Sequence, residues 1–422
     1  MNIKLRLIVM NFLQFAVWGS YLTSMGSYLA GAGMASHIGM FYAMQGIVSI
    51  FMPAVIGIIA DRWVQAQRLL GICHALAALF MGSVWFYASQ AGDGVAFAPL
   101  FTLYSLSVAF YMPTVALSYS VAYSVLERNG LDPVKAFPPV RVWGTVGFIC
   151  SMLLCDFSGF QTNSMQFLQC ALLGAVLALY ALTLPACAVN GSQEKKGIVD
   201  ALGLRAFTLF KDSRMAMFFI FSILLGVSLQ ITNGFANPFI SSYRDVPEFA
   251  STFGANHANA LISLSQISET LCILLIPFCL KRFGIKRVML IAMLSWVLRF
   301  GLFGLGNPGG GVWMFILSMI VYGVAFDFFN ISGSLFVNEQ TDTAIRSSAQ
   351  GLFMIMTNGI GATIGTLGAQ AVVNRLVYNG SEGLEQIAGW QTSWLIFAAY
   401  ALVVAVLFAL LFRYDHKAEA ER

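Results

Sequence analysis

Long apolar stretches recur along the whole of this chain, and they constrain its fold more than any other feature. Each stretch ends where charged residues, Gly, Pro or Asn interrupt it. The first six stretches, named spans 1 to 6, cover residues 7–30, 37–60, 68–89, 95–126, 141–159 and 165–187. Spans 7 to 12 cover residues 214–240, 254–280, 287–305, 311–337, 346–375 and 391–412. Because about 20 apolar residues in a helix cross a bilayer, we expect an all-α polytopic membrane protein with twelve transmembrane helices.

Composition excludes a soluble protein held by a single anchor. Of the 422 residues, 58% are hydrophobic and 10% are charged, whereas a soluble domain carries about 25% charged residues. The 7 Cys lie in or beside apolar stretches without a C-x-x-C spacing, so neither a disulfide framework nor a zinc site is expected. The net charge of +4 is scattered over short loops. We therefore expect the lipid bilayer, and not nucleic acid, as a partner.

The positions of Lys and Arg predict the orientation. All but three of the 23 such residues lie in the termini or close to the segments that follow even-numbered spans, and the three exceptions are Arg244, Arg299 and Arg375. Short loops rich in Lys and Arg face the cytoplasm. Both termini are therefore predicted to be cytoplasmic, and the three exceptions are assigned to the outer side.

The longest polar segment, residues 188–213, divides the chain into two halves of six spans each, at 1–187 and 214–422. A short segment with Lys or Arg residues follows the second span of each half. Duplicated halves joined by a central loop are typical of secondary transporters. The segment is therefore predicted to be a cytoplasmic loop between two six-helix halves.

A charged motif follows span 2. Gly57-x-x-x-Asp61-Arg62 resembles the conserved loop of the major facilitator superfamily, although Trp63 begins a departure from the Gly-Arg that usually comes next. Asp61 and Arg62, with Arg68, are predicted to form a cytoplasmic gate that opens and closes during transport. The alternative is that they only anchor the topology.

Four longer strings resemble the bacterial nucleoside:proton symporter family of the same superfamily. They are FPPVRVWGTVGF at 137–148, LQITN at 229–233, SQISET at 265–270 and YGVAFDFFNISG at 322–333. The resemblance implies a major facilitator fold in the bacterial inner membrane, with a nucleoside such as uridine or adenosine bound between the two halves. It implies H⁺ as the coupling ion. Coupling to Na⁺ is the alternative, although no cage of oxygen ligands for a cation is recognisable, and no cofactor or metal is expected. It also implies substrate contacts from ten residues: Arg141, Thr145, Phe148, Gln230, Asn233, Gln266, Glu269, Tyr322, Phe326 and Asp327.

Two carboxylates stand out without the resemblance. Of the 19 acidic residues, only Glu269 and Asp327 lie deep within predicted spans. A charge at mid-bilayer costs about 2.5–3.5 kcal/mol even on a lenient scale, so such residues usually face a cavity or a partner and mark ion pathways. The alternative is an interhelical ion pair or hydrogen bond that only holds the bundle together.

Spacing places the other candidates on shared helix faces. Residues 141, 145 and 148 follow an i, i+4, i+7 pattern, and the amide and carboxylate pairs at 230/233 and 266/269 follow i, i+3. Such faces supply acceptors for ribose hydroxyls, amides for the base edge and aromatic rings for stacking. The alternatives are core or lipid-facing packing for the Phe residues and interhelical hydrogen bonds for the amides.

Proton coupling is assigned to three residues. Arg141, at the predicted cytoplasmic start of span 5, is expected to pair with Glu269 or Asp327 in one state and to release it in another. Asp327 is favoured as the proton site and Glu269 as the ribose acceptor, although exchanged roles fit the sequence equally well. Arg141 as a plain topology anchor is the alternative.

No phosphate loop, H-E-x-x-H helix or G-x-S-x-G elbow occurs, so the chain is not expected to be an enzyme or a nucleotide-driven pump. The sequence predicts proton-coupled nucleoside import by alternating access, with a sugar or other small polar metabolite as the alternative substrate. A receptor or membrane enzyme would carry a larger soluble segment. We expect a functional monomer.

Overall fold

A computed structural model describes residues 2–187, 204–342 and 345–414, and its regular structure within those ranges is entirely helical. Each predicted span falls on one or more helices, so the all-α prediction is confirmed there. The chain forms two compact units, Met1–Gly197 and Ile198–Arg422. Within the predicted central loop, residues 188–203 lie outside the described ranges, and Leu204–Lys211 form a 3₁₀-helix.

Among its described residues, the first unit contains seven α-helices. They are α1 Ile3–Gly19, α2 Met25–Gly31, α3 Ile38–Arg62, α4 Ala66–Ala91, α5 Phe97–Arg128, α6 Pro133–Phe157 and α7 Met165–Ala181. Span 1 is divided between α1 and α2.

Within the described ranges of the second unit there are nine α-helices. They are α8 Ser213–Leu229, α9 Ile231–Ser242, α10 Phe253–Asn256, α11 Ala258–Cys272, α12 Ile276–Leu305, α13 Val312–Gln340, α14 Arg346–Met354, α15 Ala362–Leu376 and α16 Gly383–Leu411. A π-helix, Ile355–Gly361, joins α14 to α15. Span 7 is divided between α8 and α9.

Nine helical segments within the described ranges are long and apolar enough to cross a membrane. One of them, Ala258–Leu305, has 48 residues, about twice what a crossing needs. Its backbone turns at Gly284, where φ is 75°, a conformation that glycine adopts without a steric penalty. This turn separates spans 8 and 9.

The predicted start of span 5 is wrong. Helix α6 begins at Pro133 rather than at residue 141, and Pro138 and Pro139 lie inside it. Proline was expected to end a helix because it lacks an N–H, but helices in membrane proteins tolerate it where neighbouring groups satisfy the freed carbonyls. Arg141 consequently lies about two turns inside the helix and not at its start.

Glycines allow α1 and α6 to pack in close contact. A Cβ at Gly147 of α6 would lie 2.1 Å from the backbone oxygen of Phe12, and one at Gly19 of α1 would lie 2.4 Å from that of Phe148. Small residues permit such close approach between membrane helices. This contact places the α6 face that carries the predicted site residues directly beside α1.

A buried polar network connects α1 with α4 and α5. Gln14 Nε2 donates to Thr114 Oγ1 at 2.8 Å, and Gln14 Oε1 accepts from His74 Nε2 at 2.7 Å. Tyr111 donates to the backbone oxygen of Gln14 at 2.8 Å. Because all four residues are buried, these bonds replace those that water would supply and fix the relative positions of the three helices.

Candidate functional site

Tyr322 of α13 lies at the centre of the candidate site in the second unit. Its ring stacks with that of Phe326, at 5.5 Å between centroids and 17° between planes, and meets the edge of Trp296 at 6.0 Å. Its hydroxyl group interacts with the side chain of Gln266 on α11. With 6% of its surface exposed, Tyr322 is held on several sides.

The two predicted carboxylates belong to the same group. Glu269 and Asp327 both interact electrostatically with Tyr322; Asp327 is buried and Glu269 is half-buried. Helices α11 and α13 meet here because Gly323 has no side chain: a Cβ there would lie 2.5 Å from the backbone oxygen of Ser268. The second unit thus brings together five of the predicted residues: Gln266, Glu269, Tyr322, Phe326 and Asp327.

Gln230 and Asn233 mark a break between helices. Helix α8 ends at Leu229 and α9 begins at Ile231, with Gln230 at the junction. Asn233 Nδ2 donates to Gln230 Oε1 at 2.6 Å, and both side chains are half-buried. Discontinuous helices of this kind form substrate sites in many transporters.

In the first unit, Arg141 is held by two aromatic side chains. Its guanidinium carbon lies 4.0 Å from the centroid of the Phe15 ring, and its Nε donates to the hydroxyl oxygen of Tyr119 at 2.6 Å. A hydrogen bond to a charged group contributes about 1.5–3 kcal/mol. Arg141 therefore has a defined position inside its own unit, more than a topology anchor needs.

Thr145 and Phe148 lie on the same face of α6 as Arg141. Phe148 is 6% exposed and meets Trp18 edge-on at 6.4 Å, so the lipid-facing alternative for this ring is wrong. Thr145 is half-buried. The spacing prediction for this face therefore agrees with the structure.

The predicted cytoplasmic gate is only partly described. Arg68 is exposed in the first turn of α4, and the side chains of Asp61 and Arg62 lie outside the described part of the chain. The gate stays a prediction.

Arg299 was counted with the charges of the outer side, but it is a buried helix residue and not a loop charge. It lies inside α12 with 2% of its surface exposed, and its guanidinium is 4.6 Å from the centroid of the Tyr322 ring. The signal was present in the sequence, since Arg299 lies well inside span 9. Because Arg299 was counted as a loop charge, it was not considered as a candidate site residue.

An all-helical chain of two units, with carboxylates and amides gathered inside apolar helices, has the architecture of a secondary transporter in its described residues. A sequence profile of the nucleoside H⁺ symporter family matches residues 1–417. The nucleoside permease NupG of Escherichia coli (strain K12) is 47% identical over 419 residues, which cover 99% of this chain and 97% of NupG. The xanthosine permease of the same organism is 46% identical over 422 residues, covering 99% and 98% of the two chains.

The crystal structure of a mutant of the nucleoside transporter NupG superimposes with a TM-score of 0.90 at 45% identity, covering 98% of this chain and 100% of that one. The chain belongs to the nucleoside H⁺ symporter family. It is a membrane transporter and not an enzyme.

Proposed function

We propose that the protein imports nucleosides together with protons across a bacterial inner membrane by alternating access. The observation that carries this proposal is the group around Tyr322, where an amide and two carboxylates adjoin stacked aromatic rings inside apolar helices. A nucleoside requires both kinds of contact, because its base is flat and its ribose is rich in hydroxyl groups. Family membership favours a nucleoside over the sugar alternative.

Each residue of the group has a proposed role. Phe326 stacks on the base, which contributes about 1–3 kcal/mol per base in nucleic-acid sites. Tyr322 supports the Phe326 ring by stacking with it, and Gln266 bonds with the base edge. Glu269 accepts from the ribose hydroxyls. Asp327, the more buried carboxylate, carries the proton, since an acidic residue inside an apolar helix marks an ion pathway.

The remaining predicted contacts supplement this group. Gln230 and Asn233 are proposed to offer amides from the helix break, and Thr145 and Phe148 to contribute from α6. Arg141 is held by its cation–π contact with Phe15 and its hydrogen bond to Tyr119. Its release from these two contacts is proposed to accompany proton movement.

Twelve crossings with both termini in the cytoplasm are proposed for the topology. The segment Ala258–Leu305 supplies two of them because of its turn at Gly284. Helix α7 has 17 residues and is apolar, and α1 with α2 covers span 1. Added to the other eight long helices, these complete the count. The proposal also includes a gate of Asp61, Arg62 and Arg68, H⁺ as the coupling ion without a cofactor, and a monomer as the working unit.

The test is uptake of radiolabelled uridine and adenosine by cells that lack their own nucleoside permeases, with and without a protonophore. We expect accumulation that the protonophore abolishes and that Asp327→Asn loses. The matched control is Asp245→Asn, which neutralises an exposed carboxylate of the same unit and is expected to transport normally.

Three results would contradict the proposal in different ways. Expressed protein that moves neither nucleoside would refute the substrate class. Full accumulation by Asp327→Asn, with an unchanged pH profile, would refute the proton assignment. Competition by free sugars, but not by purine nucleosides, would favour the sugar alternative.

A further inference from the structure

Arg299 is a buried cation that the proposed mechanism does not use. Its Nη1 donates to the backbone oxygen of Ser318 at 2.6 Å and lies 3.4 Å from Ser265 Oγ. Ser318 Oγ donates in return to the backbone oxygen of Arg299 at 3.0 Å. The guanidinium therefore connects α12 with α13 and α11 at one level of the second unit.

The other contacts of the guanidinium are aromatic. Its central carbon lies 4.6 Å from the centroid of Tyr322 and 5.3 Å from that of Phe303, and Nη1 also lies 4.0 Å from the sulfur of Met319. Among the described residues, these hydrogen bonds and rings are its partners, and none of them is a carboxylate. The positive charge thus faces the ring of a candidate substrate residue directly.

Helix connection alone does not account for a charge at this place. A neutral amide also donates to a carbonyl oxygen, and it avoids bringing a charge into an apolar environment. What only a cation supplies is attraction to the face of an aromatic ring, which strengthens when water is excluded. The planar guanidinium adds a flat surface that stacks on the ring. The feature that requires arginine is therefore Tyr322.

Helix geometry relates this contact to the rest of the site. Ser265 precedes Glu269 by four residues on α11, and Ser318 precedes Tyr322 by four residues on α13, so each pair shares a helix face. At 1.5 Å per residue, the guanidinium level lies about 6 Å along the helix axis from Glu269 and Tyr322. Arg299 is adjacent to the proposed substrate site but does not belong to its predicted contacts.

We propose that Arg299 is a positioning residue for nucleoside binding, which fixes the ring of Tyr322 by a buried cation–π contact and by its hydrogen bonds to α11 and α13. This inference rests on the proposed function. A Tyr322 ring that is held in advance fixes the half-buried Phe326 ring with which it stacks, and Phe326 then stacks on a base without losing further rotational freedom. Arg299 thus increases the affinity for the nucleoside and has little effect on the later steps.

The test measures uridine KM and Vmax with purified protein in proteoliposomes under an imposed pH gradient. Arg299→Met keeps the length and removes the charge, and we expect its KM to rise about tenfold with Vmax within about twofold, as the loss of a desolvated cation–π contact predicts. Arg299→Lys keeps the charge without the flat surface, and we expect an intermediate KM. Tyr322→Leu removes the ring, and adding Arg299→Met to it is expected to have little further effect.

Two controls separate this role from helix packing. Ser318→Ala removes the side-chain hydrogen bond to the Arg299 backbone and leaves the ring contact in place. Arg375→Met removes an exposed arginine of the same unit. Both are expected to keep the wild-type KM, and thermal melting of every variant reports on folding.

Wild-type KM in Arg299→Met would overturn the inference. A raised KM in Arg299→Met would also overturn the inference if two conditions hold: the increase adds fully to that of Tyr322→Leu, and the melting temperature falls in parallel. That is the pattern expected of a packing residue. If Arg299→Met does not fold, Arg299→Lys decides by the same comparison. A wild-type protein that transports no uridine refutes the proposed function, and the inference falls with it, whereas normal wild-type transport with unaffected variants refutes the inference alone.

Discussion

Gly365 is predicted to be intolerant of even one added carbon. It lies on α15, where a Cβ would be 2.0 Å from the backbone oxygen of Val227 and 2.6 Å from its carbonyl carbon. Ordinary contacts begin at 3.4 Å, so α8 and α15 must separate by about 1.4 Å, the difference between those distances. The obstacle is backbone, which cannot rotate away as a side chain does.

We expect Gly365→Ala to lower the free energy of unfolding by about 1–3 kcal/mol, the usual cost of overpacking. That corresponds to a melting temperature lower by roughly 2–10 °C. Because Val227 lies three residues before Gln230, displacement of α8 is also expected to raise the KM for uridine. Thermal melting of the detergent-solubilised protein and uptake by proteoliposomes measure the two effects.

Gly368→Ala is the matched control, since it lies on the same helix and a Cβ there meets nothing within 4 Å. Alanine is the better helix former by about 1 kcal/mol, so this variant is expected to melt at or slightly above the wild-type temperature. If both variants melt within about 1 °C of the wild type, the argument from close backbone contact is refuted.

Three further predictions concern named contacts. Tyr119→Phe removes the acceptor of the Arg141 Nε hydrogen bond and is expected to reduce uridine uptake about threefold to tenfold; the control is Tyr123→Phe, and equal uptake by the two variants would refute the role of Tyr119. Gln14→Leu leaves His74 and Thr114 without their buried partner and is expected to lower the free energy of unfolding by about 1–3 kcal/mol, measured as a lower melting temperature; an unchanged melting temperature would show that the network is dispensable. Phe326→Leu removes a stacking ring and is expected to raise the adenosine KM about fivefold or more, with the exposed Phe278→Leu as control; an unaltered KM would remove Phe326 from the site.

The helices could be predicted from the sequence because apolar length is a strong signal, but their interruptions could not. The junction at Gln230 lies eight residues before Pro238, the proline of its span, and the π-helix at Ile355–Gly361 falls inside a span that contains no proline. At Pro138 and Pro139 the error was the reverse, since the local rule predicts a boundary and the helix continues. Packing between helices decides where a helix is interrupted or continues, and a hydropathy pattern contains no information about that packing.

In the candidate site, too, features within one helix could be predicted and contacts between helices could not. Spacing correctly predicted that Arg141, Thr145 and Phe148 share a face of α6, because that follows from helix geometry alone. The hydrogen bond from Arg141 to Tyr119 depends on how α5 packs against α6, and no local pattern connects residues 22 positions apart. Contacts between helices therefore could not be predicted from the sequence.

Arg299 was missed because the rule that counts Lys and Arg by loop holds on average and not for every residue. Counting Lys and Arg by loop predicts orientation, yet it treats every charge as a loop charge, and Arg299 lies inside an apolar span. A buried arginine costs about 2.5–3.5 kcal/mol on the insertion scale, whereas one charged hydrogen bond contributes about 1.5–3 kcal/mol and a desolvated cation–π contact about 2 kcal/mol. The two contacts together offset this cost over its whole range, and Arg299 has them at Ser318 and Tyr322. An arginine deep within a span therefore predicts both a carbonyl and an aromatic ring on the neighbouring helices.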